Sequence, residues 1–170
     1  LQDGALPHRY GADNRVALVE GVPRISFPLE WENPPEGTLS YALVFMDYDN
    51  VEDEGVPWIH WLVADLPGAL RSLPENASRS LPGLVQGRNS WALPYGPYQG
   101  TSEDAVCHYG GPAPERPHRY ECRLLALNKM LELEQGFWYN QLRQMARGHI
   151  LGTACLEFIY SPGGGSVQTL

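Results

Sequence analysis

Proline and glycine constrain this chain more than any other feature. The 170 residues include 15 prolines and 18 glycines. Proline removes a backbone donor and fixes φ, and clusters of the two residue types mark turns. A bundle of long helices is therefore excluded, and short strands joined by shaped loops are favoured. Hydrophobic residues at 43% and charged residues at 19% exclude wholesale disorder. A chain of this length reads as one domain, residues 1–170, burying roughly 70% of the surface its unfolded form exposes. Its glycine-rich end, about 162–170, reads as a flexible tail.

The strand candidates are short. Tyr41–Met46 and Trp58–Ala64 are nearly continuous apolar runs, as central strands buried on both faces require. Arg119–Leu127 alternates instead, with Tyr120, Cys122, Leu124 and Ala126 on one face. Leu156–Tyr160 reads as a late strand and Val22–Leu29 as an early one, with Pro23 and Pro28 near its ends. One helix is predicted over Phe137–Arg147. Its apolar residues fall near helical spacing, Arg143 and Arg147 occupy the last turns, and Gly148 follows as a stop. Between Asn76 and Gln99 runs a long Pro/Gly-rich connection holding Trp91 and Tyr95, read as exposed aromatics.

Charge and cysteine usage exclude several function classes. The net charge of -8 disfavours duplex nucleic acid and anionic membrane surfaces as partners. No apolar run is long enough to span a bilayer, and Leu1–Tyr10 lacks signal-peptide architecture. Cys107, Cys122 and Cys155 show no close-pair spacing, which points to unpaired thiols in a reducing compartment, hence a cytoplasmic location.

Three groups of residues carry potential chemistry. Asp47 and Asp49 follow an apolar run, and their spacing puts both carboxylates on one face if the chain is extended. His60 sits inside an apolar segment. Gly110-Gly111-Pro112-Ala113-Pro114 precedes His118-Arg119-Tyr120. Taken singly, each has a bland explanation: a solvated turn, a core histidine, an ordinary loop. Together they are able to close around one small pocket. Histidines donate to anions, and a neighbouring carboxylate fixes an imidazole tautomer. That carboxylate also accepts a cation, so a ligand carrying both charges, such as a phosphorylated amino-alcohol, fits the set.

These residues resemble the phosphatidylethanolamine-binding protein family, closest to its bacterial branch. The resemblance runs from Ile25-Ser26-Phe27-Pro28-Leu29-Glu30-Trp31 to Tyr160, and is most specific at Ala42–Asp49, Trp58–Trp61, Gly110–Pro114 and His118–Tyr120. It implies a mainly β fold: a β-sheet sandwich with a few short peripheral helices and an anion pocket at one end of the sheets. Carried over by position, the pocket uses Asp47, Asp49, His60, Pro112, His118 and Tyr120, with the Gly110 and Gly111 backbone as part of its lining. Family pockets take phosphate-like groups, acetate or similar anions, and members include inhibitors of kinases or proteases. The sequence departs from the eukaryotic pattern, which has prolines around the aspartates: here none follows Asp47 until Pro57, and the loop Asn50–Val56 contains Glu52, Asp53 and Glu54, which make the mouth more acidic.

Three functions compete. The first is a non-catalytic binding protein for a small anionic or zwitterionic ligand, with no cofactor and no metal. In it His60 and His118 donate to ligand oxygens and Asp47 orients a histidine or the ligand cation. The second is a regulator that meets a protease or kinase through a protein surface. The third, ranked last, is a hydrolase or metal-dependent enzyme. Two His and two Asp suit a metal by type, but no HExxH, HxH or GxSxG spacing is present. A homodimer through an apolar sheet face or a loop is conceivable.

Overall fold

The computed structural model describes residues 4–94 and 96–164. Its centre is a five-stranded antiparallel sheet in the order β7-β5-β4-β8-β9. The strands are β4 (Ser40–Asp47), β5 (Trp58–Pro67), β7 (Val85–Gln86), β8 (His118–Leu127) and β9 (Ile150–Tyr160). Two small antiparallel pairs complete the β structure: β1 (Leu18–Val19) with β2 (Val22–Pro23), and β3 (Leu29–Glu30) with β6 (Ser72–Leu73). Helices are short: α1 (Val51–Glu54), α2 (Ala77–Ser80), α3 (Glu103–Val106) and α4 (Tyr139–Ala146). The fold is thus mainly β with a few short peripheral helices, as expected.

β4 explains why its sequence is apolar throughout. It lies mid-sheet, and all eight of its residues are buried. Tyr41, Leu43 and Phe45 enter one core with Phe27, Trp61, Tyr109, Tyr120 and Phe158; Leu73 of β6 and the partly buried Leu29 of β3 cover that face. Ala42, Val44 and Met46 enter the opposite core, closed by Leu131, Phe137 and, from α4, Leu142 and Ala146. In β8 the period-2 expectation holds, with Tyr120, Cys122 and Ala126 on the aromatic face.

Several boundaries differ from expectation. The segment Val22–Leu29 is not one strand: Val22 and Pro23 pair with β1, and Leu29 pairs with β6. β9 begins at Ile150 rather than Leu156. Its first half is largely exposed and interrupted by Gly152, so it lacks a buried-strand pattern. The predicted helix is trimmed to Tyr139–Ala146. Phe137 is instead buried, its carbonyl accepting from Arg88 N at 2.8 Å, while Gly148 adopts φ 79° as a helix stop.

The long connection after Asn76 is tied down rather than loose. Gln86 accepts from Trp61 Nε1 at 2.7 Å and from Ser78 Oγ at 2.6 Å. Trp91 is half-buried, not exposed: its ring lies edge-on to Trp58 at 5.1 Å. Tyr95 and residues 165–170 of the expected flexible tail lie outside the described residues, while Pro162–Gly164 forms a short 3-10 turn. Among the described residues no helix is long and apolar enough to cross a membrane, and Cys107, Cys122 and Cys155 are all free thiols.

Candidate functional site

Antiparallel pairing brings the end of β4 and the starts of β5 and β8 to one edge of the sheet. In register, Asp47 lies between Trp58 of β5 and Tyr120 of β8. Here a cavity of about 850 Å³ opens, lined by His60, His118, Trp58, Trp91, Tyr98 and Ala113–Arg116, with Asn50, Glu52, Asp53 and Glu54 at the α1 side.

A bulge aims His60 into it. Phe45 pairs with Trp61 and the adjacent Met46 with Ile59, so His60 has no cross-strand partner. Such bulges redirect a side chain at the end of a sheet. The His60 ring packs against Phe45, Trp91 and Tyr120 at centroid distances of 4.9, 5.6 and 5.3 Å. Its Nδ1 lies 2.7 Å from the Gly110 carbonyl, which only accepts, so Nδ1 carries the proton. Burial pulls the imidazole down to about 4, outweighing the opposing influence of the Asp47 carboxylate and of the Gly110 and Gly111 backbone. His60 is therefore neutral near pH 7, and its Nε2 is an acceptor.

His118 is held differently. Its Nδ1 donates to Asp47 Oδ2 at 2.7 Å, and Asp47 Oδ1 accepts from Asn50 N at 3.1 Å. Asp47 is itself 2% exposed, so it orients the imidazole from behind the cavity wall. Its carboxylate, after burial itself, also pushes the Tyr120 phenol up, so the phenol stays protonated. The far nitrogen of His118, Nε2, lies 2.9 Å from Asp53 Oδ2 but off the hydrogen-bonding line.

Buried polar atoms without partners collect here. Of six such side-chain atoms among the described residues, three belong to cavity residues: Trp58 Nε1, His60 Nε2 and His118 Nε2. Burying an unpaired polar group is destabilising, so a cluster of them marks a place built for a polar guest. A guest placed there would find a donor at Trp58, an acceptor at His60, a second imidazole nitrogen at His118 and the Arg116 guanidinium at the rim.

The other expected site residues lie elsewhere. Asp49 does not share a face with Asp47, because β4 ends at Asp47 and the chain turns; its carboxylate accepts from Arg119 N at 2.8 Å, pinning the turn to β8. Gly110, Gly111 and Pro112 are buried behind the cavity rather than lining it. Gly110 exchanges two hydrogen bonds with His60, and a Cβ there would stand 2.6 Å from the Trp91 ring. Gly111 N donates to Pro23 O at 2.9 Å, and a Cβ on it would lie 2.1 Å from Tyr10 O. Pro112 O accepts from Ala12 N at 2.8 Å. Tyr120 lies beneath the two imidazoles, 1% exposed. Trp58 lies within a motif that assigns it no site role, whereas Tyr98 and Arg116 are lining residues that no motif singled out; both reach the cavity through loops whose path depends on tertiary pairing. Among the described residues no group of three or more His, Cys, Asp or Glu is arranged to hold a metal ion.

A sheet-end cavity with two buried imidazoles, one backed by an aspartate, defines a mainly β protein whose polar groups gather at a single edge. The chain belongs to the phosphatidylethanolamine-binding protein family, whose model matches residues 1–161. Among relatives, the uncharacterized YxkA of Bacillus subtilis is 38% identical over 143 residues, 82% of this chain and 83% of that protein. Escherichia coli YbhB is 30% identical over 172 residues, 95% of this chain and 96% of its own. The crystal structure of Escherichia coli YbcL, a member of the mammalian PEBP family, superposes with a TM-score of 0.73 at 25% identity, covering 95% of this chain and 93% of YbcL. That of the PEBP homologue CT736 from Chlamydia trachomatis gives 0.71 at 29% identity over 94% and 90%.

Proposed function

We propose that this protein is a non-catalytic binding protein for a small ligand bearing a phosphate-like anion, acting in a reducing, cytoplasmic setting suited to its free thiols. The observation that carries the reading is the trio of buried, unpartnered nitrogens on Trp58, His60 and His118. Their polarities differ, and so do their roles. Trp58 Nε1–H donates to a ligand oxygen. Neutral His60 accepts at Nε2, so the ligand brings an O–H. A monoprotonated phosphate or phosphate monoester has both acceptor oxygens and one O–H. The role of His60 is therefore acceptor, not the donor its residue type alone suggested. His118, oriented by Asp47, presents its Nε2 to the ligand, and Arg116 supplies positive charge at the rim.

Calorimetric titration with inorganic phosphate and O-phosphoethanolamine tests this. His118→Ala removes one hydrogen-bonding partner of the ligand and weakens binding by about 1 kcal/mol. His60→Ala removes an acceptor and weakens it by about 1 kcal/mol. Equal heats from wild type and both variants would reject the assignment. The alternative, regulation of a protease or kinase through a surface, draws no support from Trp91, whose ring is spent on Trp58 and His60 inside the molecule.

A further inference from the structure

Helix α1 brings three consecutive carboxylates to the cavity mouth, and they are not equivalent. Glu54 accepts from the Tyr98 hydroxyl at 2.8 Å. Glu52 pairs with Arg116 at 2.9 Å. Asp53 alone turns inward. Its Oδ2 lies 2.9 Å from His118 Nε2, and its Oδ1 lies 3.4 Å from the Arg116 guanidinium. An anion from solution would meet these same two groups. The protein's own carboxylate thus stands in the anion position, bridging a buried imidazole and a rim arginine.

It stands there imperfectly. The contact to His118 is close but misaligned, leaving Nε2 without a hydrogen-bond partner. The contact to Arg116 is long, and Arg116 is shared with Glu52. The Asp53 side chain is 43% exposed, against 1% for His118, so it swings toward water with little change in its solvation. An incoming group with better geometry is able to displace it.

On the basis of the anion-site reading above, we propose that Asp53 is an internal occupant of the anion position and the specificity-determining residue of the pocket. A bare phosphate must eject the carboxylate and then remain beside it, with Glu52 and Glu54 adjacent, so like charges crowd one mouth. A ligand with an ammonium two or three bonds from its phosphate presents a cation to the ejected Asp53 and escapes that repulsion. The pocket therefore discriminates against simple anions in favour of zwitterionic phosphate esters, and Asp53 is the source of the discrimination.

Calorimetry of inorganic phosphate and O-phosphoethanolamine into wild type, Asp53→Asn and Glu36→Gln tests the proposal. Wild type is expected to prefer phosphoethanolamine. Asp53→Asn is expected to bind phosphate roughly tenfold more tightly than wild type and to lose the preference. Glu36→Gln makes the same change in net charge at an exposed position before the opposite end of β4, and is expected to shift phosphate affinity by less than about threefold. Unchanged phosphate affinity in Asp53→Asn, or equal gains in both variants, would overturn the role of Asp53 while leaving the anion site standing. Absence of phosphate binding by all three proteins would overturn both.

Discussion

His60 is a neutral imidazole by construction, and its two nitrogens divide the work. Nδ1–H is committed to the Gly110 carbonyl at 2.7 Å, while Nε2 faces the cavity unpartnered. This has a consequence for stability. The unfolded imidazole takes up a proton near 6.5, the buried one only near 4, with burial the dominant cause. Between those values the unfolded chain binds more protons than the folded one, so stability falls as pH falls through that window. The stability is fully present above pH 6.5, and the loss reaches about 3 kcal/mol by pH 4. Urea unfolding of wild type and His60→Gln across this range measures it. The variant, lacking the titrating ring, is expected to show a shallower decline. Parallel curves would mean that the folded imidazole titrates normally. The position of His60 was legible as a polar residue in an apolar run, but its role as acceptor was not, because that depends on a carbonyl fifty residues away.

Elements were legible in proportion to how far burial imprints a period on them. β4, β5 and β8 are buried on one or both faces along most of their length, and their apolar or alternating patterns mark them. The exposed first half of β9 carries no such imprint, and α1, α2 and α3, at four residues each, are too short to show a helical repeat. The acidic run Glu52–Glu54 was visible as a charged loop, while its inward-facing Asp53 depends on a helix that periodicity cannot reveal. The Gly110–Pro112 segment was visible as a shaped loop. Its use is different from ligand lining: it clamps the back of the cavity between β5 and the β1–β2 pair. Gly111 accordingly tolerates no side chain, since a Cβ would approach the Tyr10 carbonyl to 2.1 Å. Gly111→Ala is expected to destabilise the fold by about 2 kcal/mol or more, because backbone must move on one side or the other. Chemical denaturation checks this, and a change within experimental error would show that the loop shifts freely.

For the whole molecule, the decisive feature is that one sheet serves two cores. Successive residues of β4 alternate between them: Phe45 enters the aromatic core and Met46 the opposite one. Neither core persists once β4 leaves the sheet, so the two are expected to unfold together. The binding edge, by contrast, leans on one core alone. The Phe45 ring lies 4.9 Å from His60 and 5.7 Å from Tyr120, whereas Leu131 is buried on the far face. Two truncations separate these properties. Phe45→Ala removes a fully buried aromatic ring and is expected to cost about 4 kcal/mol; Leu131→Ala is expected to cost about 3 kcal/mol. Both are expected to lower the midpoint of one cooperative transition, with tryptophan fluorescence and far-ultraviolet circular dichroism remaining coincident. Phosphate affinity distinguishes them, because only Phe45→Ala unseats the His60 ring: binding weakens by roughly tenfold in that variant and stays within about twofold of wild type in Leu131→Ala. Two separated unfolding transitions would refute the shared-sheet account. Equal losses of affinity would show that the cavity depends on the stability of the whole sheet rather than on the aromatic face that carries it.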